Sequence, residues 1–539
     1  MTDPLPTTPA YSHGRPTVRG TRGMVTSAHP LATLAGIRML QDGGNAFDAI
    51  AATAAALNVV EPYMSGLAGL GMAVIYTAAD RRVRSLDFHP PVPRDFDASR
   101  LSKAETVDGA SASGVPGNLA GWCFLVRELG TLKLPQIFAP AIEYAEEGFA
   151  TSPFFRAMTE SGLNRRMQPE WRELYFEGSR GGAINAVFKQ PDLARTLTAI
   201  AEEGPAYLYG GPLGEKMIAH LKKLGGCISC EDLATVQPIW EEPVAASFAG
   251  LDVHVPPPPA DSFQFLLTLR ILAEAGLDGA EHLSAEHLDR VFRAIRLAAE
   301  CRIGNAKCGP DRVGELLGDE GIARLCARLS APEAVSGRTE GYGAGPLLEV
   351  RALREHTTSL SAVDRDGNAV CLTQSLGSMY GSGVVIPETG VCMNNFLNWG
   401  DLNPASHNYL KGGERFGMCL APSISLADGE FALALGTPGS YGILQTQAQA
   451  MVHLRVYGLD LQAAIDAPRA RLWDGRHVDL ENRVEAPVVE DLMACGHEIN
   501  LINPFSMTCG GMQAISRDPE TGVLNGAADS RRDGAAMAL

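Results

Sequence analysis

Apolar residues near the start of the chain recur at helical spacing. Residues 31–40 predict a helix, and residues 42–45 (Asp-Gly-Gly-Asn) supply a stop-and-restart signal. Residues 46–60 are rich in alanine and apolar on nearly every face, so we expect a second helix that is packed on nearly all sides. A glycine-rich run at 65–71 then leads into an apolar strand at 72–76.

The order of these elements argues against a nucleotide-binding loop. Phosphate-cradling loops lead from a strand into a helix, whereas residues 65–71 lead from a helix into a strand and are not followed by Lys-Ser/Thr. We therefore expect these glycines to let the backbone pack closely against another segment.

The pattern changes after residue 355. Helical patterns dominate before it, and examples are 140–147, 214–224 and 285–301. After it, residues 359–364 alternate like a strand, residues 366–368 form a hairpin turn signal, and residues 369–373 return as a second strand. Two more strands and a helix are predicted at 391–393, 431–435 and 444–456.

The charge balance narrows the classes of partner. The 539 residues include 45 Lys and Arg against 62 Asp and Glu, for a net charge of −17. A chain with this negative charge is expected to bind nucleic acid or an anionic membrane poorly. The chain has no apolar run of about 18 residues, so we predict no transmembrane helix. Residues 1–20 lack the apolar core of a secretory signal, so we expect an N-terminal arm and a cytoplasmic protein.

Cysteine and histidine spacing gives no sign of a metal site. The 11 cysteines are scattered and odd in number, which argues against a disulfide framework. Cys227 and Cys230 form a C-x-x-C pair with no second pair at zinc-finger spacing. The 12 histidines contain no H-E-x-x-H arrangement. We therefore predict no metal and no cofactor.

The segment His356-Thr357-Thr358 opens the predicted strand pair. A threonine hydroxyl becomes a useful nucleophile when a base lies within hydrogen-bond reach. The α-amine of a first residue can be that base, because its usual pKa is about 7.7–8.0. Thr357 lies inside the chain, so this chemistry would require a precursor that cleaves itself.

Two other interpretations of these residues stay open at this point. A solvent-facing threonine at a strand start needs no catalytic role. A Ser-His-Asp enzyme is the competing acyl-transfer design, but the chain has no G-x-S-x-G motif, and residues 381–383 (Gly-Ser-Gly) are too short for one.

Short motifs then recur in order through nearly the whole chain: His29-Pro30-Leu31-Ala32, Gly43-Gly44-Asn45-Ala46, Glu61-Pro62, Gly114-Val115-Pro116-Gly117, Glu147-Gly148-Phe149, Asp366-Gly367-Asn368-Ala369-Val370, Pro438-Gly439, Ala467-Pro468-Arg469 and Asp533-Gly534. In order and spacing they resemble the γ-glutamyltranspeptidase family of N-terminal nucleophile hydrolases. The resemblance implies an α+β fold, a four-layer αββα sandwich built as one unit from segments 21–356 and 357–539 of one precursor.

The resemblance also implies roles for individual residues. Cleavage would fall between His356 and Thr357, and the two fragments would stay associated, with a higher oligomer left open. Thr357 matches the nucleophile, and Ser375 matches a hydroxyl that supports it from the neighbouring strand. The backbone N–H groups of Gly439 and Ser440 match an oxyanion hole, although Ser440 stands where the family has glycine.

The positions that hold a γ-glutamyl group have changed. His89 stands at the family's arginine, Met418 and Cys419 at its two serines, and Trp399 at its aspartate. Losing several charge-assisted hydrogen bonds, each worth roughly 1.5–3 kcal/mol, would weaken recognition of a zwitterionic head strongly. Arg415 and His89 remain as cationic candidates for a substrate carboxylate.

These changes predict a self-processing threonine amidohydrolase acting on a small non-glutamyl amide, either oxamate-like or another acyl amide. Two alternatives stay open. One is a γ-glutamyl hydrolase or transpeptidase acting on glutathione-like amides. The other is an unprocessed, inactive binding protein.

Overall fold

The structure is a computed structural model and describes residues 14–178, 183–277, 279–342 and 356–539. Its strands in chain order are β1 (Val18–Gly20), β2 (Gly23–Ser27), β3 (Leu70–Thr77), β4 (Arg82–Asp87), β5 (Phe149–Ala150), β6 (Val187–Phe188), β7 (Ile239–Glu241), β8 (Val244–Phe248), β9 (Leu251–Val255), β10 (Thr358–Asp364), β11 (Ala369–Ser375), β12 (Val385–Ile386), β13 (Val391–Cys392), β14 (Ser423–Ala427), β15 (Glu430–Gly436), β16 (Ala470–Leu472), β17 (His477–Glu481), β18 (Glu498–Ile502), β19 (Gln513–Arg517), β20 (Leu524–Ala528) and β21 (Ala535–Ala538).

The α-helices of the described residues are α1 (Pro30–Gln41), α2 (Ala46–Val60), α3 (Asn118–Leu129), α4 (Leu134–Glu147), α5 (Pro153–Gly162), α6 (Pro169–Trp171), α7 (Pro191–Glu203), α8 (Pro212–Lys223), α9 (Cys230–Ala234), α10 (Phe263–Ala275), α11 (Ala285–Gly304), α12 (Pro310–Leu317), α13 (Asp319–Cys326), α14 (Ile443–Arg455), α15 (Leu461–Asp466) and α16 (Ala486–Ala494). None of the helices in the described ranges is both long and apolar enough to cross a bilayer.

Two seven-stranded sheets form the centre of the protein. One has the order β1-β20-β19-β15-β14-β9-β8, and the other β21-β2-β10-β11-β3-β4-β7. The sheets pack face to face, since β10 and β11 contact β15, while α1 and α2 cover one outer face and α10 and α14 the other. The predicted four-layer αββα sandwich of the N-terminal nucleophile hydrolase type is therefore confirmed.

Local sequence explains the first two helices. His29 caps α1, with its Nδ1 accepting a hydrogen bond from Leu31 N at 3.2 Å. Asn45 caps α2 and accepts from the N–H groups of Phe47 and Asp48, while the Asp48 carboxylate accepts from Asn45 N. Every residue of α2 is buried, as its all-round apolar pattern predicted.

Sheet register brings four chain segments to one edge. Thr358 pairs with Gln374, Ser375 with Leu70, and Met72 with Asp87. The start of β10, the end of β11, the start of β3 and the end of β4 therefore lie side by side. We call this the Thr357 edge.

Glycine allows close approach at this edge. A Cβ atom on Gly69 would lie 2.1 Å from the carbonyl oxygen of Ser375, a distance that no side chain tolerates. The glycine run at 65–71 thus packs against another segment, as predicted. In the predicted N-terminal arm, residues 1–13 lie outside the described residues, and Val18–Gly20 pair with β20 as a strand.

Candidate active site

Thr357 immediately precedes β10 and is buried, with 3% of its surface exposed. Its Oγ1 lies 2.7 Å from the carbonyl oxygen of His356 and 3.2 Å from Ser375 Oγ, and Ser375 Oγ lies 2.6 Å from the same carbonyl. Each hydroxyl has one proton. Both are used when Thr357 donates to Ser375 and Ser375 donates to the carbonyl of the bond predicted to break.

Backbone contacts fix Ser375. Its oxygen accepts a hydrogen bond from Gly377 N at 2.9 Å, and its pairing with Leu70 holds the end of β11 in place. Gly377 has φ 96°, a conformation that favours glycine. The side-chain oxygen of Ser375 is therefore held against the His356–Thr357 peptide bond.

The turn after β15 approaches the same edge. A Cβ on Gly436, the last residue of β15, would lie 2.1 Å from Ser359 Oγ, whereas Phe431 near its start packs on Tyr76 at the far end of the sheet. β15 therefore runs towards the Thr357 edge. Gly439 and Ser440 follow with φ of 131° and 55°. Ser440 thus takes the left-handed conformation that its place in a glycine turn requires, just ahead of the N-terminus of α14, where N–H groups point outward.

An aromatic pair spans the space between these segments. The Trp399 ring lies 5.9 Å from that of Tyr441, which follows Ser440. Its Nε1 would lie 3.4 Å from a Cβ on Gly377, next to Ser375. This indole N–H is buried and has no hydrogen-bond partner within the described ranges. Trp399 therefore places an indole N–H that has no partner among the described residues next to Gly377.

Met418 and Cys419 belong to an apolar cluster beside this pair. Both are almost fully buried and pack in one cluster with Phe416, Leu420 and Tyr441. Burial raises the pKa of the Cys419 thiol well above its usual value, so the thiol is neutral. The two positions provide apolar surface and no charge.

His89 and Arg415 do not form a cationic clamp. The His89 ring packs edge-on against Phe416 at 4.5 Å, and neither ring nitrogen has a partner in the part of the chain that the structure describes. Burial, and then the charge of Arg415, lower the pKa of His89 to about 3. Arg415 itself pairs with Asp87 and lies 3.4 Å from Glu241. The imidazole is neutral, and the guanidinium is already matched by carboxylates.

Two residues behind Thr357 received no role from the sequence. Arg532 Nη1 donates to the carbonyl oxygen of Thr357 at 2.8 Å and lies 3.6 Å from Glu61 Oε1. Both residues stand in or beside motifs that carried the family resemblance, but neither received a role. A charged residue directly after the alanine-rich, fully buried α2 is the signal that could have drawn attention to Glu61.

A second buried arginine, Arg302, packs against Tyr441 of the aromatic pair. The Arg302 guanidinium stacks on Tyr441 at 4.4 Å and on Tyr342 at 5.1 Å. It lies 3.6 Å from Asp261, and its Nε donates to Gln264 Oε1 at 2.8 Å. This network limits the freedom of the Tyr441 ring next to the turn at Ser440.

Two facing antiparallel sheets between helical layers, with a buried threonine opening a central strand, define the class of N-terminal nucleophile hydrolases. Comparison with known proteins agrees: the family model described as Gamma-glutamyltranspeptidase matches residues 32–539, and the chain belongs to this family. It is accordingly an enzyme that hydrolyses amides.

Three known proteins illustrate the similarity. The chain is 32% identical to an acylase ACY 1 proenzyme of Pseudomonas sp. (strain V22), over 99% of this chain and 97% of that protein. It is 30% identical to the glutathione hydrolase-like YwrD proenzyme of Bacillus subtilis (strain 168), over 97% and 99%. The crystal structure of a cephalosporin acylase from Bacillus halodurans superposes with a TM-score of 0.87 and 28% identity, over 100% of this chain and 99% of that one.

Proposed function

We propose that this protein is a self-processing threonine amidohydrolase whose nucleophile is Thr357. The observation that carries the proposal is the contact of two hydroxyls, Thr357 Oγ1 and Ser375 Oγ, with the carbonyl oxygen of His356 at 2.7 and 2.6 Å. A donor at this oxygen polarises the carbonyl and stabilises the charge that develops on it during attack.

Self-cleavage follows from this geometry. Thr357 Oγ attacks the carbonyl carbon of His356, and its proton passes to the Thr357 nitrogen as the C–N bond breaks, which leaves an ester. Water then hydrolyses the ester. His356 gains a carboxylate, and Thr357 gains a free α-amine and recovers its hydroxyl.

The same atoms then serve substrate hydrolysis. The α-amine of Thr357 accepts the hydroxyl proton while Oγ attacks the substrate amide, and the N–H groups of Gly439 and Ser440 stabilise the oxyanion. The amine of the substrate leaves with a proton, and water or an acceptor amine releases the acyl group from Thr357.

The residues at the positions that hold a γ-glutamyl group in the family support a non-glutamyl acyl group. Met418 and Cys419 are buried and carry no charge, Trp399 has an indole N–H without a partner among the described residues, and His89 has a neutral imidazole. A zwitterionic γ-glutamyl head would leave its charges poorly paired here. This set of residues favours an uncharged or weakly polar acyl chain, and similarity to proteins named as acylases supports an acyl amide over oxamate. The glutathione hydrolase-like relative keeps the γ-glutamyl alternative in the test below.

One experiment tests the proposal. Intact mass of the purified protein should show two chains that meet at His356–Thr357, and Thr357→Ala should leave one chain without activity. Amides with apolar acyl groups should be turned over faster than oxamate or a γ-glutamyl p-nitroanilide. A wild-type chain that hydrolyses amides while uncut would contradict the mechanism, and an uncut chain that lacks activity would favour the binding-protein alternative. The cytoplasmic location stays a prediction from sequence.

A further inference from the structure

Arg532 makes a direct contact with the main chain of the nucleophile. It is buried, and its Nη1 donates to the Thr357 carbonyl oxygen at 2.8 Å. Backbone dimensions then place the Thr357 nitrogen within about 6 Å of the guanidinium. After cleavage this nitrogen is the α-amine, so a fixed positive charge faces the atom that must act as a base.

Arg532 also contacts a segment that supports the turn of Gly439 and Ser440. A Cβ on Gly511 would lie 2.5 Å from Cδ and Nε of Arg532, so only glycine leaves room for this side chain. Gly511 N in turn donates to Thr437 Oγ1 at 3.3 Å, and Thr437 precedes the turn of Gly439 and Ser440. Arg532 therefore lies between the nucleophile and the segment that supports the turn.

Glu61 faces Arg532 from the end of α2. Its Oε1 lies 3.6 Å from Arg532 Nη1, and Thr358 also interacts with the carboxyl group. Burial raises the pKa of Glu61 to about 7, although the charge of Arg532 opposes this shift. Around neutral pH the carboxyl therefore neutralises the arginine only in part.

Two other titratable groups interact electrostatically with Glu61, and a third interacts with Tyr63. Asp533 follows Arg532, raises the pKa of Glu61, and accepts a hydrogen bond from Ser152 Oγ at 2.5 Å. Tyr63 lies two residues after Glu61, and its pKa is raised well above the usual value by burial and by nearby carboxylates, so it stays neutral. Tyr380, whose pKa burial also raises, is likewise neutral.

We propose that Arg532 is a positioning residue that fixes the main chain of Thr357 and keeps its liberated α-amine in the free-base form, with Glu61 as a partial counter-ion. This inference rests on the proposed function of Thr357. A cation at this distance disfavours protonation of the amine, because the ammonium would be a second positive charge in a buried site. Ionised Glu61 has the opposite effect, because its negative charge favours protonation of the Thr357 α-amine.

The test is the pH profile of kcat/KM, whose acidic limb reports the base of the free enzyme. Arg532→Met should move the midpoint of that limb up by about one pH unit, since a cation within 4–6 Å shifts a pKa by about one unit or more. Arg532→Lys should leave it near the wild-type value. Glu61→Gln should move it down, by less. Rates are normalised to the cleaved fraction measured by intact mass.

Arg296→Met is the matched control. Arg296 is as deeply buried and donates to two main-chain carbonyls, of Trp473 at 2.9 Å and of His477 at 3.1 Å. Its removal should lower stability without moving the limb. If Arg532→Met is not cleaved, the midpoints of Arg532→Lys and Glu61→Gln test the inference.

The inference would be overturned if the acidic midpoint were unchanged in both Arg532→Met and Glu61→Gln. If Arg532→Met is not cleaved, an unchanged midpoint in Glu61→Gln would overturn it. Arg532 would then be a structural residue. Failure of the proposed function is distinct, because it would appear in the wild-type protein as an uncut but active chain or as an active Thr357→Ala variant.

Discussion

Ser375 provides the hydroxyl that contacts both partners of the bond predicted to break. Sequence identified it only through resemblance, as a shorter hydroxyl residue on the strand next to Thr357. The structure adds the His356 carbonyl as its acceptor and Gly377 N as its donor. A serine hydroxyl at this position thus reaches the His356 carbonyl without the methyl group of a threonine.

Ser375→Ala should slow self-cleavage by about 10²-fold, because loss of one donor to a developing oxyanion has an effect of that order. Ser375→Thr should retain most of the rate. The cleaved fraction against time, measured by intact mass, checks both. Ser423→Ala is the control, since Ser423 is buried and its side chain donates to Leu435 O at 2.8 Å, far from His356 in the sequence. Cleavage of Ser375→Ala at the wild-type rate would contradict the role.

Other residues show where local reasoning stops. The left-handed φ of Ser440 follows from its place in a glycine turn, so it could be anticipated. The neutral state of His89 and the pairing of Arg415 with Asp87 could not, since both depend on burial and on partners from another strand.

At the scale of elements, three histidines join α11 to α14 and to the loop before α11. His282 Nε2 and His453 Nδ1 lie 2.9 Å apart, and the His287 ring is 5.9 Å from each of the other two. Burial lowers the pKa of all three, to about 3 for His287, with the neighbouring histidines and, for His453, Arg469 and Arg531 adding to the effect. The folded protein holds them neutral.

This cluster should make stability fall in mild acid. The unfolded chain binds protons at its histidines near pH 6.5, whereas the folded cluster does not until the pH is much lower. The free energy of unfolding should therefore decrease as the pH falls from 7.5 to 5, and the buried His287 and His453 should each contribute up to about 1.4 kcal/mol for each pH unit below 6.5. Urea unfolding at several pH values measures this.

Variants isolate the contribution of the cluster. His287→Gln should reduce the slope of stability against pH, whereas His407→Gln, at an exposed position, should not. Equal slopes in both variants and the wild type would show that acid acts elsewhere. Periodicity predicted α11 and α14 from sequence, but not that their histidines meet, because helix packing is decided by the whole core.

At the scale of the whole molecule, the segments on either side of His356–Thr357 share both sheets. β10 pairs with β2, and β11 pairs with β3, so strands of the later segment are hydrogen-bonded into the earlier one. Cutting the bond before Thr357 removes none of these ladders.

The cleaved protein should therefore keep the native mass of the precursor and separate into two chains only in denaturant. Size-exclusion chromatography with mass detection, set against a denaturing gel, measures this, and uncut Thr357→Ala gives the reference mass. Separation of the fragments in neutral buffer without denaturant would show that the shared sheets do not hold them together. A higher oligomer stays open.

By itself the sequence determined the positions of several helices and strands, the family, and the candidate threonine, because periodicity, capping and short motifs are local properties of a chain. Only the tertiary structure decided what surrounds that threonine. Arg532 reaches Thr357 across 175 positions, and His89 loses its charge among residues of distant segments. Sheet register and burial fix such contacts, and both arise only when the whole chain has packed.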